Sequence, residues 1–336
     1  MAILLDPPRW PAHGTVWAHL VSDVSLEELH LFARANGVPA RSFDLDHYDV
    51  PAERVDELVA AGAAPVSGRE LVLRLRGSGL RVLGAERRRE RLRRRTDDLR
   101  HRWHQLGDDL LTTGPAGGTA DASAPDRGPE WAALGVELLR RWDEPHRRYH
   151  DLAHLTDVLQ HLDVLESDGE AVDPAVRLAA WFHDAVYDGE PGTDEERSAK
   201  LAGERLTGLT DPSTVAEVER LVRLTASHTV TAHDPAGAAL SDADLGILAA
   251  PRGRYDAYVL DVRAEYGQVA SEDFRRGRAD LLRRLLDHPN LYTTAAGRAR
   301  WEERARANLA AELAGLGSAG HHRADHQPPG RTSPVS

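Results

Sequence analysis

Cysteine is missing from all 336 residues. This excludes a disulfide framework, a thiolate nucleophile and any Cys-type zinc site. A metal in this chain would have to be held by histidine and carboxylate. Lysine is nearly absent too: Lys200 stands alone, and arginine supplies the rest of the positive charge. No apolar run approaches the roughly 20 residues that a membrane helix needs. The start, Met1-Ala2-Ile3-Leu4-Leu5-Asp6-Pro7, lacks the basic end and apolar region of a signal peptide. A cytoplasmic location without membrane association is therefore the expectation. The net charge of −12 argues against a general nucleic-acid binder. Charged residues at 29% and hydrophobic residues at 41% give a globular balance, with length for two domains.

Histidine beside aspartate is what the chain does have. The pair occurs at His150-Asp151, His183-Asp184 and His233-Asp234, and only His183-Asp184 lies inside an apolar run, Val176 to Val186, that reads as a core helix. Burying such groups without partners costs several kcal/mol, so a metal or a paired neighbour is expected there.

Residues 1 to about 82 read as a small α/β domain. Ile3-Leu4-Leu5 is a short buried strand stopped by Asp6-Pro7-Pro8. Ser25 to Glu28 has capping-box spacing and predicts a helix to about Asn36, ended by Gly37. A second strand is expected near Ala40–Phe43, then helices over 51–62 and 68–77. His13, His19, Asp46 and His47 form a candidate second metal or substrate site. Equally, they are loop histidines bonding to backbone around the tryptophans.

The arginine-dense stretch from Glu86 to Arg95 opens a connector, 83–111. It reads as a solvated helix paired with Asp97 and Asp98, or as a nucleic-acid patch. Residues 112–129 are a Gly/Pro/Ala/Ser linker, and 315–336 a Gly/His/Pro-rich tail expected to be disordered. Across such a tether the C-terminal part should fold alone.

Residues 130–314 read as all-helical. At 100° per residue His150, His154, Asp157 and His161 share one stripe beside an apolar face. Ser241-Asp242-Ala243-Asp244 reads as a helix start; the same wheel sends Asp244 to the buried face and Asp242 outward. Glu195 shares a face with Ala199, Ala202 and Leu206, which makes it a candidate acid/base or water-holding group, whereas Glu196 suits a Thr193 capping box. His228 is a phosphate or second-metal candidate, or a cation at a helix C-terminus.

In order, His154, His183-Asp184 and Asp244 resemble the HD superfamily of metal-dependent phosphohydrolases, within it a small bacterial group of predicted phosphohydrolases. Tyr149-His150, Trp181 to Tyr187, Asp194-Glu195-Glu196-Arg197-Ser198-Ala199, Thr225, His228, Asp242-Ala243-Asp244-Leu245, Arg263-Ala264-Glu265-Tyr266 and Ala305 to Leu309 carry the likeness. The chain thus reads as multi-domain, a small α/β N-terminal domain followed by an all-α helical domain. The likeness covers 130–314 and implies that this helical domain is HD-type. It also implies a divalent metal on His154, His183, Asp184 and Asp244. Two imidazoles and two carboxylates suit Mn, Co, Ni, Fe or Zn without choosing among them. Asp184 and Glu195 are then the catalytic candidates, and His150, His228, Arg263 and Arg278 the substrate-binding ones. Both arginines also suit ordinary salt bridges. The implied substrate is a small phosphorylated molecule such as a nucleotide. A non-catalytic metal- or nucleotide-sensing module is the other reading. Oligomeric state is left open. Residues 2–81 resemble an uncharacterised bacterial family, a likeness that implies no activity.

Overall fold

The computed structural model describes residues 2–12, 14–112, 127–190 and 192–318, and the chain divides into two compact units, Met1–Arg94 and Arg95–Ser336. The first is a small α/β unit; the second is mostly helical. No described helix is long and apolar enough to cross a membrane.

The first unit contains strands β1 (Ile3–Leu5), β2 (Trp10–Ala12), β3 (Thr15–Ser22), β4 (Phe43–Asp44), β5 (His47–Pro51) and β6 (Ala64–Pro65), and helices α1 (Leu26–Ala35), α2 (Val55–Ala60) and α3 (Gly68–Gly77). The sheet order is β4-β5-β3-β1-β6, with β2 paired to β3; β1 and β6 are parallel and the other pairs antiparallel. Side chains alternate across it. Ile3, Leu5, Ala18, Leu20, Tyr48 and Val50 pack with Leu29 and Ala33 of α1 and Leu58 of α2. On the opposite face Leu4 and Val21 pack with Leu71 and Leu75 of α3. Ser25 caps α1, accepting from Glu28 N at 3.1 Å. Glu28 does not reach back to Ser25: its carboxylate takes the hydroxyl of Ser22, whose oxygen accepts from Val24 N and Ser25 N. Gly37 ends the turn at φ +64°, a conformation open to glycine.

Two expectations for this unit change. The strand near Ala40–Phe43 is a 3₁₀ turn, Ala40–Ser42, leading into β4. The polar-aromatic segments around His19 and His47 are not loops but β3 and β5, central strands of the sheet. Their histidines stand on a part of the sheet face that apolar side chains do not cover, so alternation of apolar residues does not reveal them.

Helix α4 (Gly84–Thr112) runs through the division. In its first part Arg87 and Arg91 pair with Asp44, and Arg93 and Arg94 with Glu90. Its second part differs from a solvated connector: Leu99, Trp103 and Leu106 are buried in the helical core. They meet α5 (Gly128–Trp142). The rings of Trp103 and Trp131 stack at 4.3 Å. A Cβ at Gly135 would stand 2.3 Å from Trp103 Cδ1, and one at Gly107 2.4 Å from Trp131 Nε1. Each glycine thus makes room for the other helix's indole. The apolar positions are too sparse among the arginines to show as a stripe.

Helices α6 (Leu152–Ser167), α7 (Pro174–Phe182), α8 (Thr193–Leu206), α9 (Pro212–Leu224), α10 (Pro235–Asp244), α11 (Arg252–Glu265), α12 (Ser271–Asp287) and α13 (Ala295–Ser318) complete the unit, with a 3₁₀ turn at Leu245–Ala249. Seven of the nine residues of α7 are buried, which places it centrally. The linker and tail expectations for 113–126 and 319–336 lie outside the described residues, whereas 315–318 continue α13.

Candidate metal centre

Helix α7 stops one residue before the His-Asp pair. Asp173 caps its start by accepting from Val176 N at 2.9 Å, and Pro174 follows at the first helical position. The core helix expected to run to Val186 therefore ends at Phe182, and His183-Asp184 forms its exit. His183 Nδ1 bonds the carbonyl of Ala180 at 2.8 Å. That bond makes Nδ1 a protonated nitrogen, so the neutral ring carries its lone pair on Nε2.

His154 comes from the first turn of α6, where Asp151 is the N-cap and accepts from Ala153 N at 2.7 Å. His154 Nε2 lies 3.1 Å from His183 Nε2 and 3.1 Å from Asp244 Oδ1. Asp184 Oδ2 stands 3.3 Å from His183 Nε2 and 3.7 Å from His154 Nε2, and His183 Nε2 is 3.6 Å from Asp244 Oδ1. His154, His183 and Asp244, from three segments far apart in sequence, thus present ligand atoms to one point, with Asp184 beside the two histidines. The histidines are nearly buried, whereas both carboxylates retain 14% exposure toward a cavity.

Burial disfavours charge on each of these groups. Nevertheless Asp184 and Asp244 hold His183 well above its ordinary value, and His183 holds both carboxyls below theirs. The two negative charges persist only with positive charge among them. A divalent cation would fill that role, and the donor set fits one: nitrogen and oxygen ligands without thiolate. His154, His183 and Asp244 offer one ligand atom each, all within 4.8 Å of one another.

The cavity, about 170 Å³, is lined by His150, Asp184, Glu195, Thr225, His228 and Asp244, with Tyr149, Tyr258 and Leu248 as walls. The hydroxyl of Tyr149 is buried and has no hydrogen-bond partner among the described residues. Glu195 lines the cavity from the first turn of α8, where it also accepts from Gly192 N at 2.5 Å. The capping role assigned to Glu196 therefore belongs to Glu195; Glu196 pairs with Arg223 and Lys200. His228 follows α9 with φ +52° and brings Nε2 to 3.6 Å from Asp244 Oδ2.

His150 precedes α6 rather than sharing its stripe. Its Nδ1 meets Glu265 Oε2 at 2.7 Å, and its ring stacks on Tyr187 at 4.2 Å. Glu265 Oε1 also accepts three consecutive backbone N–H groups, from Arg148, Tyr149 and His150, at 2.8, 2.8 and 3.0 Å. Asp157 and His161 go elsewhere, to Arg254 and to the carbonyl of Ala243.

Arg263 and Arg278 are not brought to the cavity as phosphate clamps. Arg263 bonds the carbonyls of Tyr266 and Val269 and lies over Phe274. Arg278 is buried against Glu312 and the Tyr258 hydroxyl. Asp242 does not face outward either: it is fully buried, accepting from Thr293 N, Thr294 N and Thr294 Oγ1 at 2.7–2.8 Å. The helix begins at Asp234-Pro235, so Asp242 and Asp244 occupy its last turn rather than its first.

Arg147 was not anticipated. Its fully buried guanidinium donates to the carbonyls of His150, Asp184 and Ala185, at 3.0, 2.7 and 3.3 Å, and pairs with Glu144. It ties the segment before α6 to the His-Asp exit of α7. No local pattern marks such a clamp.

In the first unit His19 and His47 adjoin, with ring centroids 4.9 Å apart. Asp46 stands behind His47, bonded to its Nδ1 at 2.6 Å, so the carboxylate that joins the two histidines is Asp49. His13 lies outside the described residues.

A larger recess, about 580 Å³, lies along α4 against Asp163 and Arg177, but Arg102 and Arg177 already pair there with Asp163. Convergence of histidine and carboxylate side chains, not volume, selects the smaller cavity.

Residues 3–78 match the model of a family described as a protein of unknown function (DUF4031). No curated protein and no solved structure matches the chain. The α/β unit is thus similar to a family without an assigned activity, and the helical unit's chemistry rests on its own geometry.

Proposed function

We propose that the helical unit is an HD-type, metal-dependent phosphohydrolase acting on a phosphate ester, a nucleotide or another small phosphorylated metabolite. The observation that carries this is the convergence of His154 Nε2, His183 Nε2 and Asp244 Oδ1 at 3.1–3.6 Å, with Asp184 Oδ2 3.3 Å from His183 Nε2, beside a cavity that Glu195 also lines.

His154, His183, Asp184 and Asp244 would hold the divalent ion. A bound ion of this kind polarises a phosphoryl oxygen and makes water acidic enough to ionise near neutral pH. Glu195 orients the attacking water or relays its proton to the leaving oxygen. His150 and His228 offer ring nitrogens to the phosphate oxygens, and Tyr149 a hydroxyl with no competing partner. Arginine clamping is not part of this reading, because Arg263 and Arg278 are committed elsewhere. The cavity holds about 170 Å³, below the roughly 300 Å³ of a pocket that engulfs a drug-sized ligand. It takes a phosphate head and leaves the bulk of the substrate outside. The cysteine-free composition suits a reducing cytoplasm. Glu195 on the cavity wall and the unpartnered Tyr149 hydroxyl favour turnover over pure sensing.

The test compares the metal-loaded wild-type chain with His183→Ala and Asp184→Ala in a screen of phosphomonoesters and diesters. Both variants should lose metal from this site and all hydrolysis while retaining the helical circular-dichroism spectrum. Full metal occupancy in either variant, or hydrolysis equal to wild type, overturns the proposal.

A further inference from the structure

We propose that the α/β unit carries a separate divalent transition-metal site formed by His19, His47 and Asp49, with a coordination position open to solvent. The argument begins with strand register. His19 on β3 is the direct cross-strand partner of Asp49 on β5, and His47 lies two residues before Asp49. All three therefore project from one face of the sheet. This is the face whose other end Leu4, Val21 and α3 close with apolar packing.

The histidines are oriented from behind by carboxylates. His19 Nδ1 meets Asp6 Oδ2 at 3.0 Å, and the other oxygen of Asp6 accepts from His19 N at 2.6 Å. His47 Nδ1 meets Asp46 Oδ1 at 2.6 Å. Asp46 is fully buried and is itself fixed by Val82 N at 2.7 Å and by Arg81. Both imidazoles thus have Nδ1 engaged by a buried carboxylate and Nε2 directed forward. This carboxylate–histidine arrangement fixes the tautomer and raises basicity in metal-binding histidines. It occurs here twice, toward one point.

At that point Asp49 Oδ1 lies 3.5 Å from His47 Nε2 and 3.9 Å from His19 Nε2. Tetrahedral bonds of roughly 2.05 Å would separate ligand atoms by roughly 3.3 Å. Binding therefore needs Asp49 to close by roughly 0.2 Å on His47 and roughly 0.6 Å on His19, within reach of side-chain rotation. Neutral histidines donating through Nδ1 would leave three acceptors facing one another, and a cation between them removes that conflict. Three protein ligands in a cysteine-free set leave a fourth position for water or a substrate atom. Asp49 retains 43% side-chain exposure and His19 25%, so that position is reachable.

The experiment measures zinc per chain by equilibrium dialysis and elemental analysis. It uses the full-length protein, the full-length His183→Ala variant, and each of these with His19→Gln/His47→Gln or with Asp49→Asn. The double glutamine variant should bind one zinc ion fewer whether or not His183 is intact, which separates this site from the helical cluster. Asp49→Asn, a change at a half-exposed side chain, should weaken zinc binding at this site at least tenfold with an unchanged melting temperature of the metal-free protein. This variant decides the matter if the double variant does not fold. Zinc stoichiometry and affinity unchanged by Asp49→Asn, or no zinc bound by the His183→Ala chain, would overturn the site and leave a proton-bridged histidine pair in its place.

Discussion

Trp103 and Trp131 each donate the indole N–H to the other's backbone carbonyl, at 2.8 Å and 3.0 Å. The exchange joins the second part of α4 to α5, and Trp103 then meets Trp181 edge-on at 5.0 Å. Trp142 donates to the carbonyl of Trp181 at 3.0 Å and its ring lies 5.4 Å from that of His183. A chain of indoles therefore runs from α4 to His183, the first residue of the His-Asp pair. The composition of 112–129 suggests that a fragment beginning near Asp126 folds alone; the packing says otherwise.

A fragment starting at Asp126 lacks Leu99, Trp103 and Leu106 and should be unstable or insoluble. One starting at Arg95 should melt cooperatively and load metal as the intact chain does. Trp103→Ala in the intact chain should cost about 3–5 kcal/mol, as large aromatic truncations in cores do. Gly135→Ala should be destabilising too, since the added carbon meets Trp103. Denaturant melts of the two fragments and two variants check this; equal stability of both fragments would refute it.

Asp242 and Asp244 should separate stability from metal binding. Asp242→Asn puts an amide against three donors and should cost about 1–3 kcal/mol while metal affinity persists. Asp244→Asn should lose metal with little change in the melt of the metal-free protein. Thermal denaturation paired with elemental analysis reads both, and the reverse assignment would show that the cluster uses a different carboxylate.

Arg147→Lys should weaken metal binding although Arg147 touches no ligand side chain. A lysine cannot span the carbonyls of His150, Asp184 and Ala185 with a planar fork. A fall of about 10–100-fold in metal affinity is expected, the range for lost outer-shell support. Calorimetric titration checks it, and unchanged affinity would mean that the fork serves folding alone.

Glu265 sets an acid limit. Burial alone would raise its pKa, but the His150 bond and charge, with backbone N–H groups, bring it down to about 2. A carboxyl depressed in the folded state contributes stability above its unfolded value, near 4.5, and loses it as pH falls toward 2. The loss should amount to roughly 3 kcal/mol at most. Glu265→Gln should flatten this part of the stability–pH curve between pH 5 and about 2. An identical slope in wild type and variant would remove Glu265 as its source.

The convergence of His154, His183, Asp184 and Asp244 is legible in sequence because ionisable residues interrupting an apolar run need partners, and few places in the chain could supply them. The Ser241–Asp244 spacing mimics a helix start and so sends Asp242 outward on the wheel, although the helix begins at Pro235. The real start, Asp234-Pro235, has an N-cap acid and an N1 proline in plain view. Strands β3 and β5 carry His, Trp and Asp on a face that no helix fully covers, so their period of two lacks apolar contrast. Asp46 precedes His47 and Asp49 lies two residues beyond it, so on a strand Asp49, not Asp46, shares the face of His47. Arg147 and the tryptophan exchange depend on contacts 28 to 38 residues apart, which no local pattern encodes.

The last turn of α10 is held from both sides. Asp242 is bonded into the start of α13, and two residues on, Asp244 faces the histidines. A carboxylate mounted this way has surrendered its torsional freedom before any cation arrives. The entropy of ordering that carboxylate is met during folding, so it would not oppose capture of the proposed ion. Metal entry should consequently displace protons more than it moves atoms, and the apo and loaded helices should superimpose.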